Sequence, residues 1–274
     1  MNFRNLTLGI IATAILSSCG TTSTVPITGR KHTLLVNDEQ VLSLSKQQYS
    51  AIIKQSTLSS DATNTAMVQR VGKRLATAVE SYLRQEGNTA DLKYYEWEFN
   101  LVKSDEVNAF CMPGGKIVVY EGILPITKDE ASLAVVLGHE IAHAVAKHSA
   151  EQMSSKMRQQ YGTQILGGIL SQAVGSGTAQ IASAVASTGF NFANLKYSRD
   201  NETEADHIGL IFAAMAGYDP QVATSFWERM ASASSSSKVS ELLSDHPSDE
   251  KRIANIKTFM PEAQKYYQSA NKGK

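Results

Sequence analysis

The sequence predicts a mainly α-helical α+β domain built round one buried helix, and three observations carry that expectation. Apolar residues recur every four positions between Thr63 and Glu86, the pattern of a helix with one inward face. The period drops to two in Tyr94-Tyr-Glu-Trp-Glu-Phe-Asn-Leu-Val102, and Lys116-Ile-Val-Val-Tyr120 is β-branched behind the turn signal Pro113-Gly114-Gly115. The run LGHEIAHAVAKH, residues 137–148, then sets two histidines four residues apart in an apolar, alanine-rich helix.

Charge and composition bound what the chain does. Of 274 residues, 42% are hydrophobic and 19% charged, and 26 basic side chains balance 26 acidic ones. That suits one globular domain and gives no overall pull toward nucleic acid, so no nucleic-acid partner is expected. Residues 1–18 read as a lipoprotein signal peptide, with Arg4 ahead of an apolar segment from Leu6 to Leu16. That segment is well short of the ~20 residues a bilayer span needs. Leu16-Ser-Ser-Cys19 resembles the bacterial lipobox, in which the cysteine becomes the acylated N-terminus; a plain secretory signal is the alternative. Lipidation is therefore expected on Cys19, which would anchor the chain on the periplasmic side of a membrane. By the same resemblance, Gly20 in place of aspartate implies the outer membrane. Cys111 is then the last cysteine of the mature chain, a buried thiol with no disulfide partner.

The elements follow in order. Residues 19–36 read as a lipidated polar tether, and 37–274 as the globular domain. A helix opens at Asn37-Asp38-Glu39, and a second covers 63–86. Tyr94–Val102, Val107–Met112 and Lys116–Tyr120 are expected to form a small antiparallel sheet of three strands. Thr127 is available as N-cap of a continuous helix from Asp129 to about Met157. Residues 160–196, dominated by Gly, Ala and Ser, read as a helical hairpin insertion, with a flap or a membrane-contacting element as alternatives. Helices near 200–215 and 220–230, a serine-rich linker at 232–237 and a last helix after Pro247 complete the chain, without internal repeats.

The chemistry concentrates in two stretches. Residues i and i+4 share a helix face, so His139 and His143 can aim two imidazole nitrogens at one point. Zinc accepts such nitrogens at ~2.0 Å and keeps a position for water where the site is catalytic. Glu140 is rotated by about 100° from His139, beside the metal, where it can act as general base toward that water. Bound zinc lowers the water's pKa from ~15.7 toward ~7. A third ligand must come from elsewhere. His148 lies about 140° round a continuous helix from His143 and reads as a structural or surface histidine. Glu202 and Asp206 are spaced i, i+4 on another helix, so Glu202 can ligate while Asp206 holds the far nitrogen of a ligating histidine; an acidic solvated helix is the alternative. Glu204 points elsewhere.

The pairing of His139-Glu-Ile-Ala-His143 with Glu202-Thr-Glu-Ala-Asp206 resembles the gluzincin zinc metallopeptidases that include HtpX and the CAAX prenyl proteases. With no apolar span after its signal, the chain is similar to the soluble periplasmic lipoprotein branch of BepA and LoiP. Val25-Pro-Ile-Thr-Gly29, Asn108-Ala-Phe-Cys-Met-Pro-Gly-Gly115 and His246-Pro247 extend the resemblance over most of the mature chain. It implies a zincin-like domain holding one Zn2+, with Glu202 rather than Glu204 as third ligand. It also implies that His246 approaches the metal, either stabilising the oxyanion or filling the water position to hold the enzyme latent. The edge of the Phe110–Val119 hairpin would take up an extended substrate strand. The expected function is a membrane-anchored zinc metalloendopeptidase acting on misfolded or misassembled envelope proteins. The rival is a chaperone-like outer-membrane assembly lipoprotein with structural zinc, which has no use for a general base such as Glu140.

Overall fold

The computed structural model describes residues 21–165, 190–233, 246 and 250–272, and of residues 160–165 the backbone alone. The signal peptide with Cys19, most of the 160–196 insertion and residues 234–237 of the linker lie outside these. The chain opens with strands β1 (Thr21–Thr24) and β2 (Lys31–Leu34), then helices α1 (Asp38–Gln55) and α2 (Ala62–Gln85). Strands β3 (Glu98–Val102), β4 (Ala109–Met112) and β5 (Lys116–Tyr120) follow. Six helices are described after them: α3 (Leu124–Thr127), α4 (Glu130–Val145), α5 (His148–Ile165), α6 (Arg199–Met215), α7 (Val222–Ser232) and α8 (Glu250–Asn271). None is long and apolar enough to cross a membrane.

Local chemistry accounts for the boundaries. Asn37 and Gln40 form a reciprocal capping box on α1, and Asp61 caps α2. Thr127, expected as the N-cap of the motif helix, instead ends α3; Asp129 caps α4 by accepting from the Ser132 amide at 2.7 Å. Asp129, extended at φ −142° and ψ 168°, stands directly before the first turn, whereas Thr127 is still helical in α3.

Three expectations are corrected. The sheet is mixed rather than antiparallel: its order is β3-β5-β4, with β4 antiparallel and β3 parallel to β5. The chain reverses between β3 and β4 and again between β4 and β5, so β3 and β5 share a direction, and β5 lies in the middle. Periodicity reports strands but not which of them is central. Second, residues 21–34 are not a free tether. β1 and β2 pair as a hairpin closed by the Val25 amide on the Arg30 carbonyl, with Gly29 at φ 69°. Val25 and Leu34 are buried. Third, the expected continuous helix breaks at Ala146-Lys147, where Lys147 adopts φ 58°. A positive φ is uncommon outside glycine. Here the Lys147 ammonium is held by Asp38 at 2.9 Å and Asp91 at 3.0 Å, which fixes the turn.

The sheet is covered on both faces. Ala109, Cys111, Ile117 and Val119 join the main core with α2, α4, α6, α7 and α8, while Phe110, Met112 and Val118 face a second cluster with α1, α5, Phe190 and Phe192. This alternation follows the two-residue period of the strands. Cys111 is a buried free thiol, pushed well up from its ordinary pKa by burial and by the nearby Glu140.

A close helix crossing sets the site. A Cβ on Gly138 would lie 2.6 Å from the Gly209 carbonyl oxygen, and one on Gly209 would lie 2.5 Å from the His139 amide nitrogen. α4 and α6 therefore touch backbone to backbone. Gly209→Ala should lower the melting temperature by several degrees. Overpacking against rigid backbone costs ~1–3 kcal/mol, whereas the helix-propensity gain is at most about 1 kcal/mol. A raised melting temperature, followed by circular dichroism, would contradict the backbone contact.

Candidate metal centre

The crossing of α4 and α6 brings four side chains to one point. His139 and His143 project from α4, Glu202 from the first turn of α6, and His246 from the chain preceding α8; all four are buried. His139 Nε2 lies 3.0 Å from His143 Nε2, 3.4 Å from Glu202 Oε2 and 3.3 Å from His246 Nδ1. His143 Nε2 lies 3.3 Å from Glu202 Oε1, and His246 Nδ1 is 3.1 Å from Glu202 Oε2. Four ligands held ~2.0–2.1 Å from a common centre in a tetrahedron stand about 3.3 Å apart. The donor set and its spacing thus fit one zinc ion.

The tautomers agree with this. His139 Nδ1 lies 2.8 Å from Asp206 Oδ1, an acceptor, so the ring donates there and its Nε2 lone pair faces the cluster. Lone pairs converging in a buried pocket repel one another unless a cation sits among them. The electrostatics lean the same way. Burial opposes charge on His139, as does Arg252, yet Asp206 and Glu202 push its pKa up to about 9. Burial also disfavours an ionised Glu202, but His246, His139 and His143 hold its carboxyl far below the usual range. His143 is driven well below its ordinary pKa by burial and keeps a lone pair available. The pocket's carboxylates favour positive charge at this point.

Glu140 stands beside the donors without joining them. It is 4% exposed, and burial raises its carboxyl pKa against the opposing pull of His246 and His139. Its Oε1 lies 3.8 Å from His246 Nε2. Asp206 sits behind His139 as the i, i+4 spacing suggested. Glu204, one face round α6, stays out of the cluster. His148 does not ligate either, but it is fully buried, not a surface residue, because the turn at Lys147 redirects it.

Three contributors were not legible in the sequence. Arg252 of α8 donates from Nη2 to Asp206 Oδ1 at 2.6 Å and from Nη1 to Glu202 Oε2 at 3.4 Å, with its guanidinium 3.5 Å from the centre of the Trp227 ring. It offsets the carboxylates behind the histidines. Tyr197 stacks on His143 with ring centroids 4.0 Å apart. These residues come from separate segments with no motif of their own, so only a charge looking for a partner could have hinted at Arg252.

The comparisons bear on this centre. Residues 62–260 match Peptidase family M48. The chain is 39% identical over 202 residues to the mitochondrial metalloendopeptidase OMA1 of Schizosaccharomyces pombe, covering 73% of this chain and 54% of that protein. It is 32% identical over 253 residues to the mitochondrial metalloendopeptidase OMA1 of Homo sapiens, covering 90% of this chain and 47% of that protein. It is also 33% identical over 165 residues to the beta-barrel assembly-enhancing protease of Escherichia coli (strain K12), covering 59% of this chain and 34% of that protein. The chain thus spans about half or less of the length of these relatives. With the paired histidines, the glutamate between them and the carboxylate of α6 gathered at one point, and with the match running through all of them, the chain belongs to Peptidase family M48.

Proposed function

We propose that this protein is a zinc metalloendopeptidase that cleaves misfolded or misassembled proteins of a bacterial envelope, held at the membrane by lipid on Cys19. The observation that carries the reading is the buried Glu140 carboxylate beside a four-donor cluster spaced for one zinc ion. His139, His143 and Glu202 are the ligands in this reading, and Asp206 orients His139. Zinc held there supplies Lewis acidity, lowering the pKa of a water from ~15.7 toward ~7 and polarising a peptide carbonyl. Glu140 takes the proton and returns it to the leaving amine; its pKa, raised by burial, brings it nearer the working range of a base at neutral pH. The envelope address draws support from the lipobox-like Leu16–Cys19 and from the Escherichia coli relative named as a beta-barrel assembly-enhancing protease. The relatives named as mitochondrial enzymes support the peptidase chemistry but not that address.

His246 decides the resting state. Its Nδ1 takes the fourth corner of the donor set and its Nε2 faces Glu140, so it stands where a catalytic site keeps room for water. The enzyme is latent in this arrangement, and withdrawal of His246 opens it. β4, an outer strand of the sheet packed against α4, then offers its backbone edge to an extended substrate. Backbone pairing tolerates many sequences, as a quality-control peptidase requires.

Chelation of purified protein should abolish cleavage of an unfolded casein substrate, and stoichiometric zinc should restore it; activity that survives complete metal removal would refute the assignment. Glu140→Gln should keep its zinc, measured by metal analysis, while turnover falls by about 10²–10⁴. His246→Ala should raise basal turnover. If turnover instead drops by about 10²–10³, His246 stabilises the oxyanion and is no latch.

A further inference from the structure

The two histidines of α4 are oriented from behind by different devices. His139 meets a carboxylate directly, Asp206, itself clamped by Arg252. His143 meets another histidine: its Nδ1 lies 2.9 Å from His148 Nδ1, and His148 Nε2 lies 3.0 Å from Glu204 Oε2. Glu204 in turn accepts from Arg30 Nε at 2.7 Å and from Thr28 Oγ1 at 2.5 Å. His148 is 0% exposed and Glu204 is 8% exposed, whereas the Arg30 side chain reaches the surface at 37%. Thr28 and Arg30 belong to the β1–β2 hairpin, outside the residues that match the family.

We infer that Thr28, Arg30, Glu204 and His148 form a positioning relay that fixes the tautomer and ring angle of His143, making the N-terminal hairpin a working part of the metal centre. The hydrogen bonds leave one consistent arrangement. Glu204, clamped by a guanidinium, only accepts, so His148 Nε2 carries a hydrogen. A second hydrogen on His148 Nδ1 would face the Nδ1 of His143 and leave that ring with its hydrogen on the cluster side. His148 Nδ1 therefore accepts, His143 Nδ1 donates, and the Nε2 lone pair of His143 points at Glu202 and His139. Partners of this kind behind a ligating histidine are worth about 10- to 100-fold in metal affinity. Arg30 is doubly tied, since its Nη2 also donates to Glu151 Oε1 at 2.6 Å, and Glu151 sits one turn along α5 from His148. The break at Lys147 is what allows this: a continuous helix would carry His148 away from His143.

The relay rests on the zinc reading above, and the test separates the two. Full-length protein is stripped of metal, and zinc affinity is measured by competition with a chromophoric chelator for wild type, Glu204→Gln, Arg30→Ala and Arg30→Lys. Arg70→Ala, which breaks only the exposed pair with Glu130, is the control. The d–d absorption of the cobalt-substituted proteins is recorded alongside. Glu204→Gln and Arg30→Ala should bind zinc about 10- to 100-fold more weakly and shift the cobalt spectrum, while the metal-free proteins remain folded by circular dichroism. Arg30→Lys should recover part of the loss, and the control should match wild type. Wild-type affinity and spectrum in both Glu204→Gln and Arg30→Ala would overturn the relay while leaving the metal centre standing. Wild type that binds neither metal would overturn the zinc reading and the relay with it. Should Glu204→Gln fail to fold, the surface-reaching Arg30→Ala decides alone.

Discussion

The structure depends on one close contact, the crossing of α4 and α6 at Gly138 and Gly209. At that crossing a β-carbon on either glycine would fall within 2.6 Å of the opposite backbone. Two helices separated by ordinary side chains run 8–10 Å apart; removing the β-carbons lets them approach until peptide groups touch. His139 follows Gly138 directly, and Glu202 and Asp206 lie one to two turns before Gly209. The approach therefore carries the donors of one helix to within 3.4 Å of the donor of the other. Glycine is a poor helix former, costing about 1 kcal/mol each relative to alanine. The fold tolerates that cost twice in the same place because the site requires it.

Buried polar groups accumulate around the crossing, and the carboxylates of Asp206 and Glu204 are both answered. Asp206 receives His139 and Arg252; Glu204 receives His148, Arg30 and Thr28. The two α4 histidines of the cluster are thus backed, His139 directly and His143 through His148, by two α6 carboxylates, each paired with an arginine, one from α8 and one from the β1–β2 hairpin. Such an arrangement holds ring angles with little freedom, which is what ligation needs and what a mobile surface loop cannot give. It also ties the hairpin and the last helix to the central helices.

The same geometry bears on regulation. Three donors come from two rigid helices in backbone contact, and the fourth comes from the chain ahead of α8. In the latent reading proposed above, displacing His246 would leave the other three donors in place, with no rearrangement of the core.

The sequence by itself determined what depends on neighbours along the chain. The motif helix, its paired histidines and Glu140, the helices α1, α2, α6 and α7, and all three strands of the sheet were legible because helical and strand periods, caps and turn residues are local. Glu202 and Asp206 were legible as a pair for the same reason, and a resemblance gave them their partners. Only the tertiary structure decided the rest. The central position of β5 was hidden because strand order is set by packing and not by period. The hairpin in residues 21–34 was hidden because its strands are short and polar, and only the surface they cover makes them fold. The break at Lys147 lacked the glycine that usually announces a left-handed residue, since two distant aspartates hold it instead. Arg252 and Arg30 carry no local signal at all: a buried charge is assigned by its partner, and these partners are brought together only when the chain has closed.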